Sequence, residues 1–273
     1  MAWPSKLTEL QRRSVCRLYA RGWSQARVGQ HLGITQSYVK DLLKRYGVIA
    51  RPSAMSAPLN DRFFRRITTE RPAYWLGFLA ADGCIQIPQN RQPYVTISLA
   101  LRDINHLRCL RRDMASKAHF IYWHATARSN RNYPAVRLNF VSRKLVSDLL
   151  KLGIGPRKTQ TIRIPQIPKR LMHHFLRGYF DGDGSILVRR PGRRRQVWQL
   201  RFVVTGNPPF IDAYARQLRW QRTLQNRPQI FQHGNYATLD VLGNRQVRRI
   251  FGRLYHRATR YLPRKRAVFL RHL

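Results

Sequence analysis

The sequence predicts an α+β protein: a small all-helical unit, then two copies of one αββαββα unit. Three observations predict it. The segment AYWLGFLAADGCI at 73–85 is echoed by HHFLRGYFDGDGSI at 173–186. Each copy opens the same succession of helical and alternating stretches. Residues 7–46 carry three short helical patterns of their own. The composition places the all-helical unit at 1–48, a linker at 49–60, the first repeat at 61–165 and the second at 166–273.

In the first unit Leu7, Leu10, Val15 and Leu18 give one helix an apolar face, and Gly22 ends it. Ser24 caps a second helix holding Val28 and Leu32. Gly33 supplies a turn, and Thr35 caps a third helix with Tyr38, Val39, Leu42 and Leu43. The run SQARVGQHLGITQSYVKDLL resembles the helix-turn-helix of resolvase-like and sigma-like DNA readers. That resemblance puts the third helix in a major groove, which makes Gln36, Ser37, Lys40 and Lys44 candidates for base or phosphate contact. The stretch IARPSAMSAPLN at 49–60 lacks periodicity and is rich in Pro, Ser and Ala, as suits a linker.

In the first repeat, strands are expected near 84–88 and 94–101, a helix from Asp103, strands near 119–124 and 134–141, and a helix to Lys151. The second repeat follows with strands at 186–188 and 196–204, a helix from Pro208 to Trp220, strands near 229–231 and 237–241, and a helix from Gln246. Pro156-Arg157-Lys158 in the first answers Pro263-Arg264-Lys265 in the second.

Within 273 residues, 52 Lys and Arg stand against 12 Asp and Glu, a formal net charge of +40. A folded chain so charged repels itself unless a polyanion compensates. An RNA-compartment protein and a DNA binder with an extended surface fit that charge equally. No apolar run is long enough to span a bilayer, and the start MAWPSKLTELQRR lacks a secretory core. The expectation is a soluble intracellular protein with no membrane partner, in the cytoplasm or nucleoid if the chain is prokaryotic or phage-encoded. Cys16, Cys84 and Cys109 match no zinc spacing and read as small buried residues.

The repeated segment carries its own chemistry. Gly77 and Ala81 are four apart on a helix, as are Gly178 and Gly182, so each helix has a flat stripe that another backbone can approach closely. Packing the stripes together brings Asp82 and Asp183, at the two helix C-termini, side by side. The macrodipole disfavours each by roughly 0.3–1 kcal/mol, and the two repel one another. A bound cation reverses both penalties. Carboxylate oxygens without sulfur or imidazole favour Mg²⁺, with Mn²⁺ as substitute.

WLGFLAADG at 75–83 and LRGYFDGDG at 176–184 resemble the LAGLIDADG motif, and 61–273 resembles the single-chain, two-motif homing endonucleases that carry it. The resemblance implies saddle-shaped antiparallel sheets around two central packed helices, in a monomeric, site-specific endonuclease. It implies a double-strand break in duplex DNA by metal-dependent phosphodiester hydrolysis, one half-site per strand. Asp82, Asp183 and nearby backbone carbonyls would hold the metal. Lys158 and Lys265 would sit near the scissile phosphates as catalytic groups or as phosphate grips. The sequence departs from the pattern where Ala80 stands opposite Asp181, a position read as structural. Arg177 inside the second motif is expected to point outward. Two other functions fit the scaffold: a non-cleaving DNA-binding transcription regulator, which usually loses the acidic pair, and a maturase acting on intron RNA.

Strand alternation then selects the DNA-facing side chains. With Ile85, Ile87, Val95, Ile97 and Leu99 inward, Gln86, Thr96, Ser98 and Arg102 face out. With Trp198, Leu200 and Phe202 inward, Arg189, Gln199, Arg201 and Thr205 face out. The turns at 191–196 and 129–133 are expected to reach phosphates or outer base pairs. His173 and His174 lack a third ligand and read as surface or half-buried, and Trp75, Tyr179 and Phe180 read as core aromatics.

Overall fold

The computed structural model of the chain describes residues 8–49, 57–126, 132–190, 198–220 and 228–272. Three helices come first: α1 (Glu9–Ala20), α2 (Gln25–Leu32) and α3 (Gln36–Arg45). Local chemistry sets their ends. Thr8 and Gln11 form a reciprocal capping box at α1. The side chains of Ser24 and Thr35 accept the backbone N–H groups of Arg27 and Tyr38, and Gly33 takes the left-handed conformation that ends α2. Val15, Tyr19, Val28, Val39, Leu42 and Leu43 form a core separate from the rest of the chain. The expected face of α1 is corrected in part. Its buried stripe runs through Val15 and Tyr19, which leaves Leu10 on the opposite side and 73% exposed; Leu7 lies outside the described residues.

The first copy runs α4 (Glu70–Asp82), β1 (Gly83–Gln86), β2 (Tyr94–Ala100), α5 (Ile104–Asp113), β3 (Ile121–Thr126), β4 (Asn132–Val141), α6 (Arg143–Lys151) and the one-turn α7 (Lys158–Thr161). The second runs α8 (Met172–Asp183), β5 (Gly184–Arg189), β6 (Gln199–Gly206), α9 (Pro208–Trp220), β7 (Gln229–His233), β8 (Tyr236–Leu242), α10 (Asn244–Tyr255) and α11 (Pro263–His272). The expected αββαββα order holds in both. α11 lies beyond the expected elements, and its counterpart in the first copy is only the one-turn α7.

Each copy folds its strands into one antiparallel sheet, in the orders β1-β2-β4-β3 and β5-β6-β8-β7. One face of each sheet is apolar: Ile85, Val95, Ile97, Leu138 and Phe140 in the first, Leu200, Phe202, Val204, Leu239 and Val241 in the second. Against these faces pack helices with matching stripes, such as Leu107 and Leu110 of α5 and Val247, Ile250 and Leu254 of α10. α4 and α8 lie between the copies, so that a single core runs from Ala57 to Phe269.

Four further expectations are corrected. β1 ends at Gln86, so Ile87 lies beyond the ladder and is exposed. Trp198 precedes β6, lies against His272 of α11 rather than the core, and is 41% exposed. Cys84 is exposed because the same alternation that buries Ile85 turns its neighbour out, and Cys16 and Cys109 are only half-buried. Arg177 does not point outward; it is fully buried between the copies. No helix among the described residues is long and apolar enough to cross a membrane.

Candidate active site

The site is built on contact between two backbones. A Cβ on Gly77 would lie 2.0 Å from the carbonyl oxygen of Phe175, and one on Gly178 would lie 2.0 Å from that of Tyr74. Nearer the helix tips a Cβ on Gly182 would lie 2.3 Å from that of Ala81. Only glycine permits these approaches, and the small-residue stripes read from the sequence are the contact surface. Gly83 and Gly184 follow the last helical residues with extended backbones, so each helix passes straight into a strand. Glycine is required there for space rather than for a left-handed turn: a Cβ on either would lie 2.6 Å from a carbonyl oxygen one turn back.

This packing brings Asp82 and Asp183 together. A Cβ on Gly182, the residue before Asp183, would lie 3.2 Å from Oδ2 of Asp82. Burial, and then the charge of Asp183, pushes the Asp82 carboxyl up from 3.8 to about 6. Burial also raises Asp183, against the pull of Lys158, Lys265 and the Tyr179 hydroxyl beside it. Asp82 is half-buried; Asp183 keeps much of its residue exposed, while its carboxyl is desolvated by the packed helix tips.

Lys158 and Lys265 are in the same place but aimed at the helix ends. Nζ of Lys158 donates to the carbonyl of Ala81 at 2.7 Å. Nζ of Lys265 donates to those of Phe180 at 2.8 Å, Gly182 at 3.0 Å and Gly184 at 2.5 Å. Each ammonium thus donates to carbonyls at or just past a helix end and complements the negative end of its dipole. Burial lowers both lysines, Lys265 to about 8, while the neighbouring carboxylates oppose the shift.

Around this centre the copies differ. Where α4 has Phe78, α8 has Tyr179, whose hydroxyl donates to the carbonyl of Thr205 at 3.0 Å and lies against Asp183. Where α4 has Ala80, α8 has Asp181, fully buried and accepting from Tyr74 at 2.8 Å, Tyr255 at 2.5 Å and the N–H of Leu262 at 2.7 Å. Where α4 has Leu76, Arg177 donates to the carbonyls of Arg260 and Leu254 and to Glu70. Asp181 and Arg177 therefore clamp the segment that carries Lys265. Both were read from the sequence without these partners, which lie far away in the chain. The Phe78/Tyr179 difference, by contrast, was visible in the aligned motifs.

A family model describing a homeodomain-like domain matches residues 6–49. No curated protein matches the sequence. Among solved structures, the homing endonuclease I-WcaI bound to its DNA recognition sequence aligns over 76% of this chain and 90% of its own, at a TM-score of 0.53 and 10% identity. The two copies have the LAGLIDADG fold. Two further structures are similar at lower TM-scores. The I-SmaMI LAGLIDADG homing endonuclease bound to cleaved DNA aligns at 0.48, with 11% identity over 75% of this chain and 87% of that one. The LAGLIDADG meganuclease I-AabMI bound to uncleaved DNA aligns at 0.45, with 14% identity over 67% and 82%.

On the LAGLIDADG sheets the register puts Gln86, Thr96 and Ser98 on the face away from the core, and likewise Arg189, Gln199, Arg201 and Thr205. Several already have partners. Thr96 donates to Asn139, Ser98 accepts from Arg137, and the Arg201 guanidinium is paired with Asp240. Arg102 is corrected: it stands not on the sheet but in the turn before α5. There it lines a cavity of about 480 Å³ together with Gly182, Gly184, Arg264 and Lys265. Arg264, not among the expected site residues, is held beside it by Asp103 at 3.0 Å. Gln36, Ser37, Lys40 and Lys44 are all exposed on α3. The turn at 191–196 lies outside the described residues, and of the 129–133 loop only Tyr133 is described in full, exposed. His173 and His174 are half-buried with their rings 3.8 Å apart. Among the described residues, no three His, Cys, Asp or Glu side chains cluster to hold a metal.

Proposed function

We propose that the chain is a site-specific DNA endonuclease that breaks both strands by metal-dependent phosphodiester hydrolysis, one half-site per strand. The observation that carries this reading is the convergence of Asp82 and Asp183 on two helix tips in backbone contact, in a chain with only 12 acidic residues. Such placement raises the Asp82 carboxyl and is a cost to the protein alone. The fold, shared with a homing endonuclease that binds a DNA recognition sequence, and the net charge of +40 support a duplex as substrate.

The donor set fits Mg²⁺, or Mn²⁺ in its place. It offers two carboxylates and no soft ligand, and such ions use one or two carboxylates with water and phosphate oxygens completing the shell. When bound, the ion lowers the pKa of water and draws off charge from the phosphate. The remaining work belongs to the chain. Asp82 and Asp183 orient the attacking water; Lys158 and Lys265 hold the helix-end carbonyls and supply positive charge beside the phosphates; Arg102 and Arg264 face the cavity where a phosphate enters.

The second reading, a non-cleaving DNA-binding regulator, is favoured by one observation: two buried ammonium groups already offset the charge of the acidic pair. One experiment separates the two. Duplexes retained by the protein are selected from a randomised library, then incubated with it and Mg²⁺ or Mn²⁺. The nuclease reading expects cutting by the wild type and retention without cutting by Asp82→Asn and Asp183→Asn. Retention with no cutting by the wild type establishes the regulator, and unimpaired cutting by both variants overturns the acidic site.

A further inference from the structure

The helical unit is joined to one end of the molecule. In the first sheet β1 adjoins α4 at the centre, and the order β1-β2-β4-β3 makes β3 the far edge. α2 meets that edge: the Arg27 guanidinium, stacked 4.1 Å over Trp23, donates to the carbonyl of Tyr122 in β3 at 3.2 Å. Beside this contact is an open cleft of about 370 Å³ whose lining includes Trp23, Arg27, Gln36, Phe120, Tyr122 and Asn139.

Two of those residues connect surfaces. Asn139 belongs to a cross-strand row on the outer face, Cys84–Thr96–Asn139, that begins two residues beyond Asp82. Gln36 is the first residue of α3, whose exposed side bears Ser37, Lys40 and Lys44. The row therefore leads from the acidic pair, across the sheet, into the cleft where α3 begins. The matching row of the second sheet, Ser185–Val203–Asp240–Gln229, ends at an exposed strand edge, and no helical unit precedes the second copy.

We infer that the helical unit prolongs the DNA-contact surface beyond the first copy only, so that the bound duplex is covered farther on one side of the cut than on the other. The inference rests on the reading of the sheets' outer faces as the duplex-binding surface. A helix of this kind contacts about half a turn of duplex or more, which sets the scale of the extra coverage.

The test uses the full chain, a selected duplex, and Ca²⁺ in place of Mg²⁺. An iron chelate is attached to the one thiol of either of two variants, Lys44→Cys on α3 or Gln229→Cys on the far edge of the second sheet, both also carrying Cys16→Ser, Cys84→Ser and Cys109→Ser. Hydroxyl radicals then mark where each position lies. The expected result is cleavage at opposite ends of the footprint, with the marks from position 44 about 5–10 base pairs outside the sheet-protected stretch. Marks from both positions at one end, or none from position 44 on a protected duplex, overturn the inference and leave the endonuclease reading standing. Failure to protect any duplex overturns both.

Discussion

Arg177 donates to Glu70 at 2.6 Å across the junction of the two copies, with the guanidinium fully buried. The same carboxylate accepts from the N–H and hydroxyl of Thr259 and from the N–H of Arg260. One acidic side chain at the start of α4 thereby fastens the segment leading to α11 and Lys265.

Removing that acid strands a buried cation. Glu70→Ala is expected to cost about 3–5 kcal/mol, as for buried pairs that lose one partner. Arg177→Leu, which restores the residue type present as Leu76 in the first copy, is expected to cost less, because Glu70 retains its other donors. Urea midpoints measure both, and the opposite ranking would show that the pair is not the fastener.

The glycines give a prediction with two signs. Gly178→Ala forces a methyl to 2.0 Å from a main-chain oxygen, so the helices must part, at a cost of at least about 3 kcal/mol. Gly252→Ala, within α10 and with nothing within 4 Å of the added carbon, is expected to stabilise by about 0.5–1 kcal/mol. Thermal denaturation of the two variants decides it; equal effects would refute the tight joint.

Asp82 links stability to pH. Its carboxyl releases its proton at about 6 in the folded chain, against 3.8 ordinarily, so the folded form holds the extra proton between those values. Stability therefore falls as pH rises from about 4 to 6 and stays lower above that. Asp82→Asn is expected to raise metal-free stability by about 1–2 kcal/mol at pH 7.5, discounted for partial exposure, with the gain vanishing below pH 4. Mg²⁺ is expected to raise the melting temperature of the wild type and not of the variant. A less stable variant at pH 7.5 would contradict the crowding of the two acids.

Tyr179 makes the half-sites unequal. Tyr179→Phe, which reproduces Phe78, removes the hydroxyl that donates to the Thr205 carbonyl and lies against Asp183, and is expected to cost about 1–3 kcal/mol. Under the endonuclease reading, singly nicked duplex accumulates, because Asp82 never had that hydroxyl. Simultaneous loss of both cuts would show that the hydroxyl acts on the whole site.

Local signals carried much of this into the sequence. Ser24, Thr35 and Gly33 work within a few residues of themselves, strand alternation needs only its neighbours, and the stripes Gly77/Ala81 and Gly178/Gly182 repeat in register. Long-range chemistry did not read out. Nothing local to Arg177 argues against an outward side chain, and what overrules that expectation is a carboxylate 107 residues earlier. The paired Pro-Arg-Lys tripeptides were visible, but nothing local says that each ammonium turns to the end of a helix rather than to solvent. Ile87 and Trp198 followed the alternation past the point where the ladders stop.

The neighbours that exclude a methyl at positions 77 and 178 are main-chain atoms, which every residue type presents alike. No change of side chain on the opposing helix can make room there, so neither glycine has a compensating mutation available to it. The same indifference makes the seam transferable in principle. A graft that keeps these two glycines and the helix geometry meets the opposing backbone whatever its sequence, while compatibility between grafted halves is decided elsewhere, at Glu70, Arg177 and Asp181.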